Sequence, residues 1–490
     1  MHKSTEGFIW TPTGYHYGLP TTSTIPSTPT SSLSGTYDVI VLGAGFTGLT
    51  TARDLAFRGK KVLLIEARDR IGGRCWTAQT DELDSSAKLE IGGAWVHWLQ
   101  PHVFSELQRY GLDQFVETVS HPDAEVVGKE GRDGSATLLD PHEGKEMMER
   151  IGQLMERFFD VDGQGGRSVL SFPFNTQASV AKSAEYLKLE ELSITDRVAQ
   201  LELGDEDRDM LSAHAASFFG LDPGQVSFME VLKTHALCGF DQDMIEAATM
   251  KYKISEGTTG LALAILKDFN GDRILRAPVK AVTQDLGGSF PVTVTLQNGE
   301  VYRAKALVST IPMNVLPSIT FDPPLSELRR EAFTAGVTPA RTDKLLVCTP
   351  TKFERGFNFT CEGDESDLPY TAGFTDGSYG PNTLLTLLTR PDHALDRSNE
   401  NIRLVETLHP TGIELHSAYG HLWSQDPYAG GVMPVRKPGF MRYYEEVRRP
   451  HGRVWFAGSD FADGWRGFIS GAFEDAYRVT REVLGRGDIW

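Results

Sequence analysis

The sequence predicts a two-domain α/β protein, and three observations support this prediction. A short apolar run at 38–42 leads into a glycine-rich turn and then into apolar residues at helical spacing. A second apolar run at 62–65 closes this unit on Glu66, which completes one βαβ unit. The chain has 490 residues, too many for one compact core. A Rossmann-like domain beside a second domain of mixed sheet and helices is therefore expected.

The glycine-rich turn reads Gly43-Ala44-Gly45-Phe46-Thr47-Gly48 and stands between the first strand and the helix. Gly43 permits the tight turn, Gly45 lets the backbone approach a pyrophosphate, and Gly48 lets helix and strand pack closely. The free N–H groups at the start of the helix suit phosphate oxygens. Glu66 can accept hydrogen bonds from both ribose hydroxyls and would repel the extra phosphate of NADP. The unit therefore predicts a dinucleotide site.

Composition excludes several classes of protein. The net charge is -18 without any basic run, which argues against a nucleic-acid partner. The four cysteines lie far apart, so neither a disulfide framework nor a metal site is predicted. No stretch reaches the roughly 18 apolar residues that span a bilayer. We therefore expect a soluble, intracellular protein, most simply cytoplasmic, without a membrane anchor.

The rest of the chain divides by composition and periodicity. Residues 1–36 are predicted to be an irregular arm, since 20–36 are almost entirely Ser, Thr and Pro. Apolar residues from Met147 to Phe158 recur at helical spacing. Further strands are predicted at 273–275, 291–296, 306–310 and 454–457, with a hairpin turn at Asn298-Gly299 and a helix after Gly467.

A second glycine motif follows Glu66. The loop 67–74 (ARDRIGGR) places two adjacent glycines between arginines, which suits flat passage against a cofactor with guanidinium groups near its phosphates. This loop and the segment 90–98 (EIGGAWVHW) resemble the flavin amine oxidase (monoamine oxidase) family, in particular its soluble fungal members. Pro278-Val279, Thr310-Ile311-Pro312, 456–460 (FAGSD) and 464–472 (GWRGFISGA) extend the resemblance from about Tyr37 to Val483.

The resemblance implies a two-domain amine oxidase fold with FAD as cofactor. It implies an FAD-binding domain at 37–92, 247–310 and 425–490, and a substrate domain at 93–246 and 311–424. It makes Asp460 the partner of the ribityl chain and the Val279 backbone the partner of the adenine. The implied cofactor-binding residues are Gly43, Gly45, Gly48, Glu66, Arg68, Gly72, Gly73, Arg74, Gly92, Gly93, Ala94, Trp95, Val279, Gly458, Asp460, Trp465, Phe468 and Ile469.

The resemblance also implies three catalytic residues. Lys344 matches a lysine that holds a water near the flavin; a solvent-facing lysine on a strand is the alternative. Family members place two aromatic rings before the flavin, and Phe468 fits one of them, whereas Met433 stands at the other position. Tyr428 or Phe440 could supply the second ring only with a shifted alignment. Membrane-bound members attach FAD through a cysteine at the position of Val432, so FAD is expected to bind here without a covalent bond.

The implied reaction oxidises an amine C–N bond to an imine, which hydrolyses to a carbonyl, while dioxygen is reduced to hydrogen peroxide. The partners are then a small amine and dioxygen, and both a monomer and a homodimer remain open. Met433 and the stretch 233–237 (KTHAL), which is aromatic in the family members that the chain most resembles, suggest a larger or more polar pocket. His235 in this stretch is either a catalytic base or a structural residue. Two alternatives are a biosynthetic desaturase or oxidative cyclase acting on a nitrogen-containing metabolite, and an FAD-binding protein that has lost catalysis.

Overall fold

The structure is a computed structural model, and it describes residues 3–80, 88–118, 126–130, 136–177, 183–217, 219, 221–340, 342–350, 356–360, 370–375, 383–389 and 414–489. The α-helices in these ranges are α1 Phe46–Phe57, α2 Pro101–Tyr110, α3 Pro141–Phe159, α4 Ala184–Glu190, α5 Ile194–Ala199, α6 Asp205–Ser217, α7 Phe228–Leu237, α8 Gln242–Met250, α9 Gly257–Lys267, α10 Glu327–Thr334, α11 Tyr444–Arg448 and α12 Ile469–Leu484.

An eight-stranded sheet carries the glycine-rich turn. Its order is Asp272–Ile274, Val62–Ile65, Thr36–Leu42, Val301–Ser309, Val292–Leu296, Val279–Gln284 and Thr320–Asp322, and Val454–Phe456 also pairs with Val301–Ser309. The strands flanking Thr36–Leu42 run parallel to it. The turn into α1 therefore lies at the carboxyl edge of the sheet, where doubly wound folds bind ligands. The strands and the helix predicted for this unit are confirmed.

A nine-stranded sheet forms the second layer of the molecule. Its order is Gly14–Tyr17, Phe8–Thr11, Ser417–His421, Thr342–Cys348, Thr383–Thr389, Tyr370–Thr375, Gly356–Thr360, Val126–Glu130 and Ala136–Leu139. Three two-stranded sheets join Phe115–Glu117 to Tyr252–Ile254, Thr77–Ala78 to Leu89–Glu90, and Val337–Pro339 to Pro434–Arg436. The larger sheet positions Lys344, which lies on the strand Thr342–Cys348.

The prediction of an irregular arm over residues 1–36 is wrong for residues 8–17. Phe8–Thr11 pairs antiparallel with Gly14–Tyr17 on one side and with Ser417–His421 on the other. Phe8 and Trp10 alternate as buried residues, as expected for a strand with one covered face. The partner strand lies about four hundred residues further along the chain, so local composition alone could not indicate this pairing.

The N-terminal segment, residues 3–20, also holds the loop 67–74. Glu6 accepts from both Arg68 Nη1 and Arg70 Nε, the second over 2.7 Å. Ser4 Oγ donates to Asp69 Oδ1 over 2.7 Å, and the Thr5 amide donates to Asp69 Oδ2 over 2.8 Å. The N-terminal segment therefore holds the loop 67–74 in place.

The helices α3 to α8 surround a separate apolar core. Ile151, Leu154 and Phe158 of α3 are buried there, which confirms the predicted amphipathic helix. Asp140 caps α3 by accepting from the amides of His142 and Glu143. Among the described helices, none combines the length and the apolar composition that a membrane span requires. The proposed limits of the two domains stay a prediction.

Glu6→Ala should lower the free energy of unfolding by about 2–4 kcal/mol, because Arg70 would remain buried without its carboxylate partner. Arg70 is 0% exposed, whereas the Glu6 side chain is 16% exposed. Urea unfolding followed by far-UV circular dichroism measures the change. Thr5→Ala is the matched control, since only its backbone amide contacts Asp69. Equal stability of Glu6→Ala and the control would contradict this account of the segment.

Candidate active site

One elongated cavity of about 1480 Å³ brings most of the predicted site residues together. It runs between the carboxyl edge of the eight-stranded sheet and the helices α3 and α8. The predicted residues that line it are Gly43, Gly45, Glu66, Arg68, Gly72, Gly73, Arg74, Gly92, Gly93, Ala94, Trp95, Val279, Lys344, Met433, Gly458, Phe468 and Ile469. Gly48, Asp460 and Trp465 do not line it.

Gly48 acts through packing rather than by contact with the cavity. A Cβ on Gly48 would lie 1.9 Å from the Gly43 carbonyl oxygen, so no side chain fits there. Gly43 has a φ of +97°, in the region that favours glycine. Its amide donates to the Ile65 carbonyl over 2.7 Å. These contacts hold the N-terminus of α1 against the second strand.

Glu66 is buried at the end of the strand Val62–Ile65 and lines the cavity. Its carboxylate accepts from the backbone amides of Ala44 and Arg68, the second over 2.9 Å. Burial raises the pKa of Glu66, although both amides and the Arg68 guanidinium oppose the shift. The position agrees with a role toward a ribose; that role stays a prediction.

The double-glycine loop lies flat against the glycine-rich turn, as its sequence predicts. The Gly72 amide donates to the Ala44 carbonyl over 2.9 Å. A Cβ on Gly73 would lie 3.2 Å from the Cα of Gly45. A side chain at Gly73 would therefore press on Gly45, whereas a Cβ at Gly72 would clash within its own loop, 2.3 Å from the Cys75 carbonyl oxygen.

The expected contact between the Arg68 guanidinium and phosphate needs correction. Arg68 lines the cavity, but its guanidinium forms two hydrogen bonds to Asp426, of 2.7 and 2.8 Å, and a third to Glu6. His421 Nε2 lies 2.6 Å from Asp426 Oδ2. Although burial would raise the pKa of Asp426, His421 and Arg68 hold it well below its ordinary range. Arg68 therefore fixes the loop.

Asp460 also departs from its predicted place. Arg74 Nη2 donates to Asp460 Oδ1 over 2.8 Å, and the Met313 amide donates to Asp460 Oδ2 over 3.0 Å. These donors hold the carboxylate behind the cavity wall, where its exposure is 2%. Its neighbours Gly458 and Ser459 line the cavity instead. Asp460 thus connects the segment 456–460 to Arg74.

Lys344 is buried at the cavity wall. Its Nζ donates to the Gly92 carbonyl over 3.1 Å and lies 5.0 Å from the centroid of a Trp95 ring. The alternative of a solvent-facing lysine is therefore excluded, since Lys344 is only 6% exposed. The segment 90–98 and the nine-stranded sheet meet at this ammonium group.

Met433 and Phe468 line the cavity, and Trp465 supports Phe468 from behind. The Trp465 ring meets the Phe468 ring edge-on at 5.2 Å, and its indole N–H donates to the Leu99 carbonyl. Trp465 is 0% exposed, so the prediction that it touches a cofactor is wrong. Phe440 is buried in another core, where it cannot serve as the second cavity ring.

His235 lies in the apolar core and does not line the cavity. Its ring stacks on Phe159 at 3.9 Å with an interplanar angle of 4°. Burial lowers its pKa to about 4. A neutral imidazole packed between aromatic rings is a structural residue, so the alternative of a catalytic base is not supported.

Helices α3 and α8 supply cavity residues that sequence reasoning missed. They contribute apolar and polar side chains to the cavity wall: Met148, Glu149, Ile151, Gln153, Glu156, Asp243, Ile245, Glu246 and Thr249. Helical periodicity predicted α3, but it could not indicate that one side of the helix faces a cavity rather than solvent. Tyr428, one of the two alternatives for the second aromatic ring, also lines the cavity, with the Arg68 guanidinium 5.4 Å from its ring centroid.

The family model for flavin containing amine oxidoreductase matches residues 46–484. The chain belongs to this family. It is 31% identical over 453 residues to pseudooxynicotine dehydrogenase from Pseudomonas sp, covering 91% of this chain and 86% of that protein. It is 26% identical over 484 residues to amine oxidase [flavin-containing] B from Bos taurus, covering 92% and 87% of the two chains. The chain is therefore an oxidoreductase that acts on amines.

Solved structures agree on the fold. A triple mutant of putrescine oxidase superposes with a TM-score of 0.74 at 21% identity, over 92% of this chain and 99% of that one. Cyclohexylamine oxidase from Brevibacterium oxydans superposes with a TM-score of 0.70 at 19% identity, over the same shares. These matches confirm the predicted two-domain α/β fold.

FAD is the cofactor of this family, and the described residues fit it. The cavity is lined by Glu66 and the side-chain-free backbones of Gly45 and Gly73 as well as by Lys344 and Phe468. Val432 lines the cavity and cannot form a thioether. Cys75 also lines it, but burial raises the pKa of its thiol to about 12, which keeps the thiol protonated. The flavin is therefore held without a covalent bond.

Acid denaturation should leave all flavin in the supernatant and none on the precipitated protein, since Cys75, the cysteine among the described lining residues, is a protonated thiol. Absorbance of both fractions measures this. Cys75→Ala is the control and should release flavin equally. Yellow colour that stays on wild-type precipitate and is lost in Cys75→Ala would contradict non-covalent binding.

His235→Phe should retain the aromatic stack and flatten the dependence of stability on pH. The folded state binds protons at His235 less readily than the unfolded state, so wild-type stability falls as pH drops from about 6.5 towards 4. The loss over this range should exceed that of the variant by about 2–4 kcal/mol. Denaturant unfolding at several pH values tests this, with exposed His142→Phe as control. A variant that loses amine oxidation more than about tenfold would instead support a catalytic base.

Proposed function

We propose that this chain oxidises the C–N bond of a secondary or tertiary amine that carries a heteroaromatic ring, with dioxygen as electron acceptor. The observation that carries the proposal is the pair Met433 and Phe468 at the cavity wall. Methionine is unbranched and adaptable, so it accommodates larger substrates than a fixed second aromatic ring. The names of three relatives, pseudooxynicotine dehydrogenase, nicotine dehydrogenase and (S)-6-hydroxynicotine oxidase, support the same substrate class.

The residues of α3 and α8 that line the cavity support an amine substrate. Apolar side chains such as Met148, Ile151 and Ile245 provide surface for a ring. Carboxylates on the same two helices, at Glu149, Glu156, Asp243 and Glu246, outnumber Lys145 among the lining residues. An excess of negative charge along an entry path favours the approach of a protonated amine.

The protein's contribution is orientation, exclusion of water and electrostatics. FAD, when bound, accepts the two electrons that leave the amine as its C–N bond becomes C=N. Phe468 and Met433 would hold the amine carbon and exclude water from it. Lys344 would hold a proton or a water at its Nζ, whose position the Gly92 carbonyl and the Trp95 ring fix.

A substrate series tests the proposed substrate class. Pyridine-substituted pyrrolidines and N-methylamines should show a kcat/KM about tenfold or more above that of benzylamine, hexylamine or spermidine. Oxygen uptake and peroxide release measure the acceptor, with one peroxide expected for each amine oxidised. Turnover of small arylalkylamines alone would contradict the substrate class. Fast turnover with an artificial acceptor and negligible peroxide would contradict dioxygen.

Lys344→Met should slow flavin reduction by amine or flavin reoxidation by air about tenfold or more, because the fixed ammonium group is lost. Stopped-flow absorbance measures both half-reactions separately. Lys280→Met is the matched control, since Lys280 lines the same cavity at its exposed rim beside Val279. Wild-type rates for both halves in Lys344→Met would remove this residue from the mechanism.

A desaturase or oxidative cyclase is the second candidate, and Met433 is the observation that favours it. Both reactions begin with the same two-electron oxidation and differ in the fate of the product. Mass spectrometry distinguishes them. A hydrolysed carbonyl product, with the amine released from an open-chain substrate or kept after ring opening of a cyclic one, supports the oxidase. A product two hydrogens lighter that has taken up no water supports the second candidate.

A further inference from the structure

The segment from Ser459 to Phe468 separates the cavity from a buried layer of charged side chains. Ser459, Gly467 and Phe468 line the cavity, and Phe468 is also the N-cap of α12. Arg466 belongs to the same segment but does not line the cavity, and it is 9% exposed. Its guanidinium contacts α7 instead. His235 is the residue of this helix that was considered as a catalytic base.

Arg466 and Glu230 of α7 form a buried, two-point ion pair. Arg466 Nε donates to Glu230 Oε2 over 3.0 Å, and Nη2 donates to Oε1. Arg466 Nη1 donates to the Ala462 carbonyl over 3.1 Å, which ties the guanidinium to its own segment. Burial disfavours both charges, but their mutual attraction outweighs it, so the pKa of Glu230 is lowered and that of Arg466 is raised. The planar pair fixes the orientation of the arginine.

Two further charged residues hold the middle of this segment. Lys233 of α7 donates to the Asp463 carbonyl and to Thr176 Oγ1, the latter over 2.9 Å. Glu474 of α12 accepts from the amides of Asp463 and Gly464 over 3.0 and 2.9 Å. The segment is therefore held from α7 on one side and from α12 on the other.

The contacts of Gly467 carry this constraint into the cavity. Gly467 has a φ of +82°, and a Cβ built on it would lie 2.6 Å from Met433 Sδ. Its backbone and the Met433 side chain are thus in close contact. Gly467 stands between Arg466 and Phe468 in the chain, so the Arg466 guanidinium constrains both residues together with the hydrogen bonds from their amides to the Ser459 and Trp465 carbonyls.

We propose that Glu230, acting through Arg466, is a positioning residue that sets the separation of Phe468 and Met433 and thereby the size of amine that the site accepts. The inference rests on the proposed function, in which these two side chains flank the substrate. Without the carboxylate, a buried guanidinium lacks its partner and has to move or recruit another group. The displaced segment then changes the width of the substrate site.

Glu230→Gln tests the proposal, because it keeps the side-chain size and removes the charge. Flavin content should stay at the wild-type level. The ratio of kcat/KM for a bulky cyclic amine to kcat/KM for hexylamine should change about fivefold or more. Arg466→Lys keeps the charge but loses the two-point geometry, and should change the ratio in the same direction.

Ser227→Ala is the matched control for a general loss of helix stability. Ser227 caps α7 by accepting from the Met229 amide, and its hydroxyl does not contact Arg466. This variant should lower the melting temperature and leave the substrate ratio unchanged. A ratio within about twofold of wild type in both Glu230→Gln and Arg466→Lys would overturn the proposal.

Crystal structures of the wild type and Glu230→Gln provide a readout that does not depend on turnover. The proposal predicts that Gly467 and the Phe468 ring are displaced relative to Met433. Unchanged positions would overturn it, and crystals of Arg466→Lys replace those of Glu230→Gln if the latter does not fold. A wild-type enzyme that oxidises no amine would contradict the proposed function, whereas the crystallographic comparison would still decide the role of Glu230.

Discussion

Backbone contact between two glycine turns is the constraint on which the cavity depends. Gly45 and Gly73 approach so closely that a Cβ on Gly73 would lie 3.2 Å from the Cα of Gly45. The Gly72 amide bonds the Ala44 carbonyl in the same contact. This approach keeps the N-terminus of α1 open towards the cavity, where its dipole favours an anionic group. A larger residue at Gly73 would press on Gly45 and so disturb this contact.

Buried ion pairs hold these turns and the segments 456–460 and 464–472 in place. Arg68 pairs with Asp426, Arg74 with Asp460, and Arg466 with Glu230. Each pair joins segments more than two hundred residues apart in the chain. Such pairs add little net stability over apolar packing, but their directional hydrogen bonds specify geometry. Charged groups that line the cavity or lie behind its wall therefore help to define its shape.

The sequence indicated the fold and one end of the site because the information there is local. The spacing of Gly43, Gly45 and Gly48 between a strand and a helix has one common physical use. Asp460 and Trp465 were misplaced because a motif shows which residues are neighbours in the chain, without showing which of them faces the cavity. Both are instead engaged behind the wall, by Arg74 and by the Leu99 carbonyl.

Long-range partners account for most of what the sequence could not indicate. Glu6 and Asp426 find their arginines only after the chain folds, and nothing in their local sequence distinguishes them from surface carboxylates. Likewise, nothing in the local sequence of α8 indicates which side of this helix faces the cavity. His235 was ambiguous for a related reason, since the aromatic stack with Phe159 that explains it is a tertiary contact.

Anaerobic titration of the purified yellow protein with amines tests whether this site oxidises amines. The flavin absorbance band should bleach with a pyridine-substituted cyclic amine at lower concentration than with benzylamine, and admitting air should restore it. A protein fully loaded with FAD whose band no amine bleaches would contradict amine oxidation by this site.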